Sequence, residues 1–339
     1  MRRILPLLAT LLALPAAAAL LTACGGGDGS QARPDADATL MLDFTPNAAH
    51  AGIYSAIAHG FDDAEGVHLT VRVPGSSTDA VKLLLSGRTQ FSVMDIHDLA
   101  LAGARGRDLV AVMAIVQRPL AAVLAAPDIA DPRGLEGRKV GVTGLPSDDA
   151  VLRSIVTGAG GDFGKVERVT IGFNAVPALL GGRVAGATAF WNVEGVALRR
   201  ARPGIREFRV DDYGAPPYPE LVLVTARSTL RDDPALVNAT VRALVRGYGV
   251  TVHDPDSSLE DLASQVHGLD RRQLERQLDV LIPALSPPNG RIGGLDPQVL
   301  ARWASWEARF GIVKTPPDVS RLFDVDVVPN SGASSDDAA

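Results

Sequence analysis

The sequence predicts an α/β protein of two lobes, and three observations carry that prediction. Short apolar runs of strand character alternate with segments of helical period, which implies parallel-rich sheets with helices on both faces. About 290 residues lie between two low-complexity ends, more than one core ordinarily serves. The order matters as well: one set of strand–helix units, then a second set, then only helices from Pro234 to Phe310. A chain that leaves one lobe, builds another and returns makes two lobes joined by two crossing segments, with a hinge between them.

The elements follow in order. Residues 39–44 form a compact apolar strand, and Thr45-Pro46 supplies an N-cap and a first-turn proline for the helix behind it. His50, Ile53, Tyr54, Ile57, Ala58 and Phe61 recur on one helical face. Strands are predicted at 67–73 and 90–94, with a helix over 77–85 between them. Residues 109–126 are a long apolar stretch broken by Gln117-Arg118-Pro119. The second set has strands at 138–143, 166–173, 185–190 and 206–210, with helices at 147–157 and 176–180. A strongly strand-like run at 220–225 precedes helices at 234–252, 270–285 and 297–310. The predicted crossings are 117–127 and 221–226. In open α/β sheets ligands bind beyond the carboxyl ends of the strands, and two such edges facing each other make a cleft that closes on a hinge.

The ends of the chain point to export. Met1-Arg2-Arg3 is basic, and Ile4 to Leu21 is apolar with two prolines. Small residues then lead to Cys24, the only cysteine. Residues 1–23 therefore read as a secretory signal and Cys24 as the acylated first residue of a lipoprotein, tethered to a membrane surface without spanning it. The expected location is extracytoplasmic. Residues 24–37 read as a flexible linker and 331–339 as a disordered acidic tail.

Several function classes find no support. One cysteine allows neither a disulfide framework nor a thiolate metal cluster. The six histidines are scattered, so no metal site is expected, and no cofactor motif is present. A net charge of −6 supplies no basic surface for nucleic acid. Nucleophile-elbow, Walker and zinc-protease motifs are absent. The glycines at 158–161 follow a helix and read as a C-cap and turn.

Three segments carry specific chemistry. Asp43 to Tyr54 puts a carboxylate, an aromatic ring and the Asn47 amide where a strand meets a helix N-terminus, with free N–H groups pointing outward. His50 and Tyr54 share a helix face, which suits a pocket wall or an ordinary core position; Asn47 suits a ligand contact or a cap. The second segment runs from Gly172-Phe173-Asn174 to Phe190-Trp191-Asn192-Val193-Glu194. Glu194 in a first helical turn complements the helix dipole. Beside an indole, it equally suits a flat heterocycle whose amino groups bond the carboxylate. The third, Asp211 to Glu220, is a proline-stiffened loop in which Tyr218 and Glu220 either face the cleft or form a solvated turn.

Asp43-Phe44-Thr45-Pro46-Asn47, His50, Gly52 and Tyr54 together resemble the opening of the ThiY-like thiamine-precursor (pyrimidine) binding proteins, within the thiamine-biosynthesis/nitrate/sulfonate binding superfamily. Gly172 to Leu180, Trp191 to Glu194 and Tyr213 to Thr225 resemble further blocks in the same order. The resemblance implies a type II periplasmic-binding-protein fold, with lobe I from residues 38–120 and 226–330 and lobe II from 121–225. It implies a monomeric receptor that delivers an aminopyrimidine to an ABC permease. Phe44, Tyr54 and Trp191 would then be stacking walls, Asn47 and Asn174 polar contacts, and Asp43 and Glu194 acceptors for amino groups. His50 and Tyr218 would line the pocket. Phe44 stands where the family usually has Trp. Riboflavin, another heterocycle or a sulfonate is the alternative cargo, although no Arg or Lys stands in the cores of the three segments. A related branch uses this fold as a pyrimidine synthase with a cysteine-rich motif, which this chain lacks; the expectation is a receptor and not an enzyme.

Overall fold

Each half of the chain places its apolar runs side by side as a five-stranded sheet. The computed structural model describes residues 36–75, 79–285 and 291–328. The expected signal segment, Cys24, nearly all of the linker and the acidic tail lie outside these residues. The strands are β1 (Ala36–Met41), β2 (Val67–Arg72), β3 (Phe91–Asp95), β4 (Leu109–Val116), β5 (Ala121–Ala125), β6 (Lys139–Val142), β7 (Glu167–Thr170), β8 (Gly186–Phe190), β9 (Arg206–Arg209) and β10 (Leu221–Ala226). One sheet has the order β2-β1-β3-β10-β4 and the other β7-β6-β8-β5-β9. β1 begins at Ala36, inside the span expected to be linker, because Ala36 and Asp37 pair with Val67 and His68.

Both sheets are mixed. β1 pairs parallel with β2 and β3, and β6 with β7 and β8. β10 pairs antiparallel with β3 and β4, and β5 with β8 and β9. Topology explains the departure from a parallel-rich expectation. Parallel strands end at the edge facing the other lobe, whereas a strand arriving from that lobe starts there and must run the opposite way. The predicted crossings shift for the same reason. Residues 121–125 and 221–226 are themselves strands, wholly buried, and the chain crosses in the short stretches before each.

The start of the first helix also differs from expectation. Asn47, not Thr45, is the cap: its side-chain oxygen accepts the Ala49 N–H at 2.9 Å. The His50 ring accepts the Asn47 N–H at 3.2 Å, completing a reciprocal cap around the turn Ala48–His50. Helix Ala51–Ala58 then packs on helix Pro234–His253. Two glycines allow a close approach. A Cβ on Gly52 would fall 2.5 Å from the Tyr248 ring, and one on Gly247 would fall against the Gly52 carbonyl. The Tyr248 hydroxyl donates to the Ala49 carbonyl at 2.7 Å and fastens the same contact.

Gly247→Ala is therefore expected to destabilise the fold by about 1–3 kcal/mol, since the obstructing atoms are backbone. Denaturant unfolding measures this, and an unchanged midpoint would show that the helices separate freely.

Candidate ligand-binding cleft

The strand ends that face each other enclose a cavity of about 780 Å³. The first sheet contributes the turn after β1 (Asp43, Phe44, Asn47) and the end of β3 with the helix behind it (Asp95, Asp98). The second contributes Thr143 to Asp148 after β6, Gly172-Phe173 after β7, and Phe190 to Glu194 around the end of β8. All are junctions where a strand stops and a turn or helix begins, so their side chains leave the sheet edge and point into the gap.

Aromatic rings meet across the gap. Phe44 and Phe173 contact edge to face, with centroids 4.6 Å apart and planes at 89°. Phe173 is 41% exposed, an unusual state for so large an apolar side chain, and it faces the cavity it lines. Phe190 adds a third ring to the lining.

Two carboxylates lie on opposite sides. Asp43 accepts a hydrogen bond from His50 Nε2 at 2.8 Å. His50 Nδ1 already accepts a backbone N–H, so its proton sits on Nε2 and orients the aspartate. Glu194 accepts the Phe190 N–H at 3.2 Å. Burial, with the like charge of Asp43 adding to it, pushes the Glu194 carboxyl up to about 7, and nearby backbone N–H groups only partly oppose this. Among the described residues, neither Asp43 nor Glu194 forms an ion pair with an arginine or lysine. Asn192, fully buried in the lining, has no hydrogen-bond partner on either side-chain polar atom among the described residues.

The other end of the cavity is braced by Asp148. It accepts hydrogen bonds from the Thr143 and Thr188 hydroxyls, both at 2.6 Å, and from the Gly144 and Leu145 N–H groups. Exposed Lys82, Arg105 and Arg107 also line the cavity, cations that the three sequence segments did not contain.

Asp43, Phe44, Asn47 and Glu194 thus share one cavity, and His50 sits one hydrogen bond behind Asp43. The remaining expected ligand residues lie elsewhere. Tyr54 is buried in the hydrophobic core under helix Ala51–Ala58. The Asn174 side chain is exposed and donates to the Ile171 carbonyl at 2.9 Å, stabilising its own turn. Trp191 turns toward the crossing: its indole N–H donates to the Pro119 carbonyl at 3.0 Å, and Arg209 covers its ring at 4.1 Å. Tyr218 is fully buried, its ring stacked on Trp306 and its hydroxyl 3.1 Å from His97 Nε2. The aromatic rings that line the cavity are Phe44, Phe173 and Phe190, and Tyr54 and Trp191 are not among its lining. Phe173, Phe190 and Asn192 lie in the second sequence segment but carry no assigned role there, and Asp95, Asp98 and Asp148 lie outside all three segments. The signal that marks them is position: each lies at, or one helical turn beyond, the end of a strand.

Similarity to known proteins agrees with this architecture. The family model described as "NMT1/THI5 like" matches residues 47–258. The formylaminopyrimidine-binding protein of Halalkalibacterium halodurans is 31% identical over 274 residues, covering 79% of this chain and 83% of that protein. The riboflavin-binding protein RibY of Chloroflexus aurantiacus is 25% identical over 306 residues, 86% of each chain. Among solved structures, the alkanesulfonate-binding protein SsuA of Xanthomonas axonopodis pv. citri, bound to MOPS, superposes with a TM-score of 0.67 at 17% identity, covering 86% of this chain and 96% of that one. With two mixed-sheet lobes of the periplasmic-binding-protein kind and a matching model over most of its length, the chain belongs to the NMT1/THI5-like family.

Proposed function

We propose that the protein is the extracytoplasmic binding component of an ABC importer and that it holds an aminopyrimidine related to thiamine precursors. The observation that carries this reading is the pairing of Asp43 and Glu194 across a cavity walled by Phe44, Phe173 and Phe190. A flat heterocycle stacks on these rings, Phe44 and Phe173 parting from their edge contact to admit it, and its amino groups donate to the two carboxylates. Asn192, whose side-chain polar atoms have no partner among the described residues, supplies its amide to the ring edge. The identity to a formylaminopyrimidine-binding protein supports the same cargo. The acylated Cys24 tethers the receptor, and a permease takes the ligand when the lobes part. Among the described residues no helix is long and apolar enough to cross a membrane.

A second cargo has one observation in its favour. A cavity of about 780 Å³ is roomy for a single ring, and a flavin would fill more of it. Calorimetry and thermal shift with aminomethyl- and formylaminomethyl-pyrimidines, riboflavin and an alkanesulfonate separate the readings. A pyrimidine at a hundredfold excess over its dissociation constant stabilises the fold by about 2.7 kcal/mol. A response to riboflavin alone would replace the proposal.

Glu194 makes two further expectations. Glu194→Gln is expected to weaken pyrimidine binding by about 1.5–3 kcal/mol. The same change is expected to stabilise the ligand-free protein above pH 7. The native carboxyl is raised from 4.5 to about 7. Its protonated form is therefore favoured by folding, and the cost of ionising it grows across that interval and is complete above it. A gain on the order of 2 kcal/mol at alkaline pH, fading below pH 5, is expected in denaturant titrations. An unaltered affinity together with an unaltered stability would remove Glu194 from the site.

Affinity follows the same ionisation. Only the carboxylate accepts two amino donors, so binding of a neutral aminopyrimidine falls about tenfold from pH 8 to pH 6 and the Gln variant has a flat profile over that range. Cys24→Ser is expected to move the protein from the membrane pellet to the soluble fraction; continued sedimentation with membranes would refute the anchor.

A further inference from the structure

Behind the cavity floor, the end of β3 and the second crossing meet in a buried ionisable cluster that the ligand site does not use. Asp95 lines the cavity and caps helix Ile96–Ala104 by accepting the His97 N–H at 2.7 Å. His97 is fully buried, and its Nδ1 pairs with Glu307 of helix Pro297–Arg309. Its Nε2 lies 3.1 Å from the Tyr218 hydroxyl and 3.9 Å from Glu220 Oε1. Glu220 and Glu307 are both wholly buried, yet Glu220 Oε1 and Glu307 Oε2 have no hydrogen-bond partner among the described residues. Three carboxylates therefore surround a single buried imidazole, Glu220 and Glu307 wholly buried and Asp95 half-buried at the cavity wall, an excess of negative charge that burial does not tolerate uncompensated.

We propose that Asp95, His97 and Glu220 form a site for one divalent transition-metal ion, with the Tyr218 hydroxyl as a neighbouring oxygen. One donor atom from each of the three lies within 4.8 Å of the others. Around an ion with bonds of about 2.1 Å, donor atoms sit roughly 3 to 4 Å apart, so a contraction of roughly 1 to 2 Å at the widest pair closes the set. Glu307 plays the outer-sphere part: a carboxylate on Nδ1 fixes the ring and presents Nε2 to the ion. Glu220 Oε1 is the oxygen left free to ligate, because Oε2 already accepts the Leu120 and Ala121 N–H groups. One imidazole with carboxylate oxygens and no thiolate suits Zn²⁺ or Mn²⁺. Asp95, half-buried at the cavity wall, marks the way in. An ion there would join the end of β3 to the second crossing and stiffen the hinge beside the ligand.

The test strips the protein with EDTA and titrates it with Zn²⁺ and Mn²⁺ by calorimetry, with Co²⁺ quenching of tryptophan fluorescence as a local readout, since the Trp306 ring centroid is 5.5 Å from that of His97. One equivalent of Zn²⁺ or Mn²⁺ is expected, with quenching by the first equivalent of Co²⁺. Glu307→Gln is expected to weaken binding by about 10- to 100-fold, and Glu220→Gln to abolish the equivalent. Absence of a bound equivalent in the wild-type protein overturns the proposal and leaves shared protons as what balances the cluster. Binding that is undiminished in Glu307→Gln overturns it too, placing the ion elsewhere. Should Glu220→Gln fail to fold, the wild-type stoichiometry and the Glu307→Gln affinity still decide.

Discussion

Two backbone N–H groups and one buried carboxylate hold the halves of this molecule in register. Glu220 lies at the end of the second crossing, and its carboxylate receives the Leu120 and Ala121 amides of the first. A carboxylate without solvent is costly unless donors meet it, and here the donors belong to the other strand of the hinge. Trp191 adds a second fastening by donating to the Pro119 carbonyl next door. With the crossings bound together, the carboxyl ends of β1 and β3 have no choice but to face those of β6, β7 and β8. Everything assigned to ligand binding depends on that opposition, because none of the contributing turns is complete alone.

Within the cleft, stability and recognition pull in opposite directions. Glu194 sits where burial disfavours its charge, and Asp43 across the gap makes this worse. Neither is relieved by a lysine or arginine among the described residues. The fold keeps two acceptors without a cationic partner at the cavity, and the proposed ligand would meet them with amino groups. Phe173 shows the same pattern in apolar form, exposed to a cavity and touching Phe44 only by its edge. By contrast Asp148, with four donors, belongs to the scaffold of its loop. Carboxylates of one chemical type thus divide between bracing a loop and standing at the cavity without a cationic partner.

Residues near each other in sequence were read well, and residues joined across the fold were not. Most strands and helices emerge close to their observed bounds because apolar period is a local property, while the helices Ile96–Ala104 and Pro255–Gln265 were not expected. Asp43, Phe44, Asn47 and Glu194 were identifiable because they stand where a strand run meets a helix run. Trp191 and Tyr218 were read as ligand walls because aromatic rings beside carboxylates look the same whether they face a ligand or a neighbouring segment. Their partners, Pro119 and His97, are far away in the chain, and no spacing rule reveals such pairs. The scattered histidines gave no hint of a cluster for the same reason: Asp95 with His97, Glu220 and Glu307 come together only when three separate segments pack.

By itself the sequence determined the order of elements, the division into two α/β halves and the chemistry available at each strand end, since these follow from side-chain period, capping residues and composition. Only the tertiary structure decided which strands run antiparallel, where the chain crosses, and which aromatic rings reach the cleft. Those outcomes depend on which edge a strand enters from and on which distant atom satisfies a buried polar group, and neither is written in any local stretch of residues.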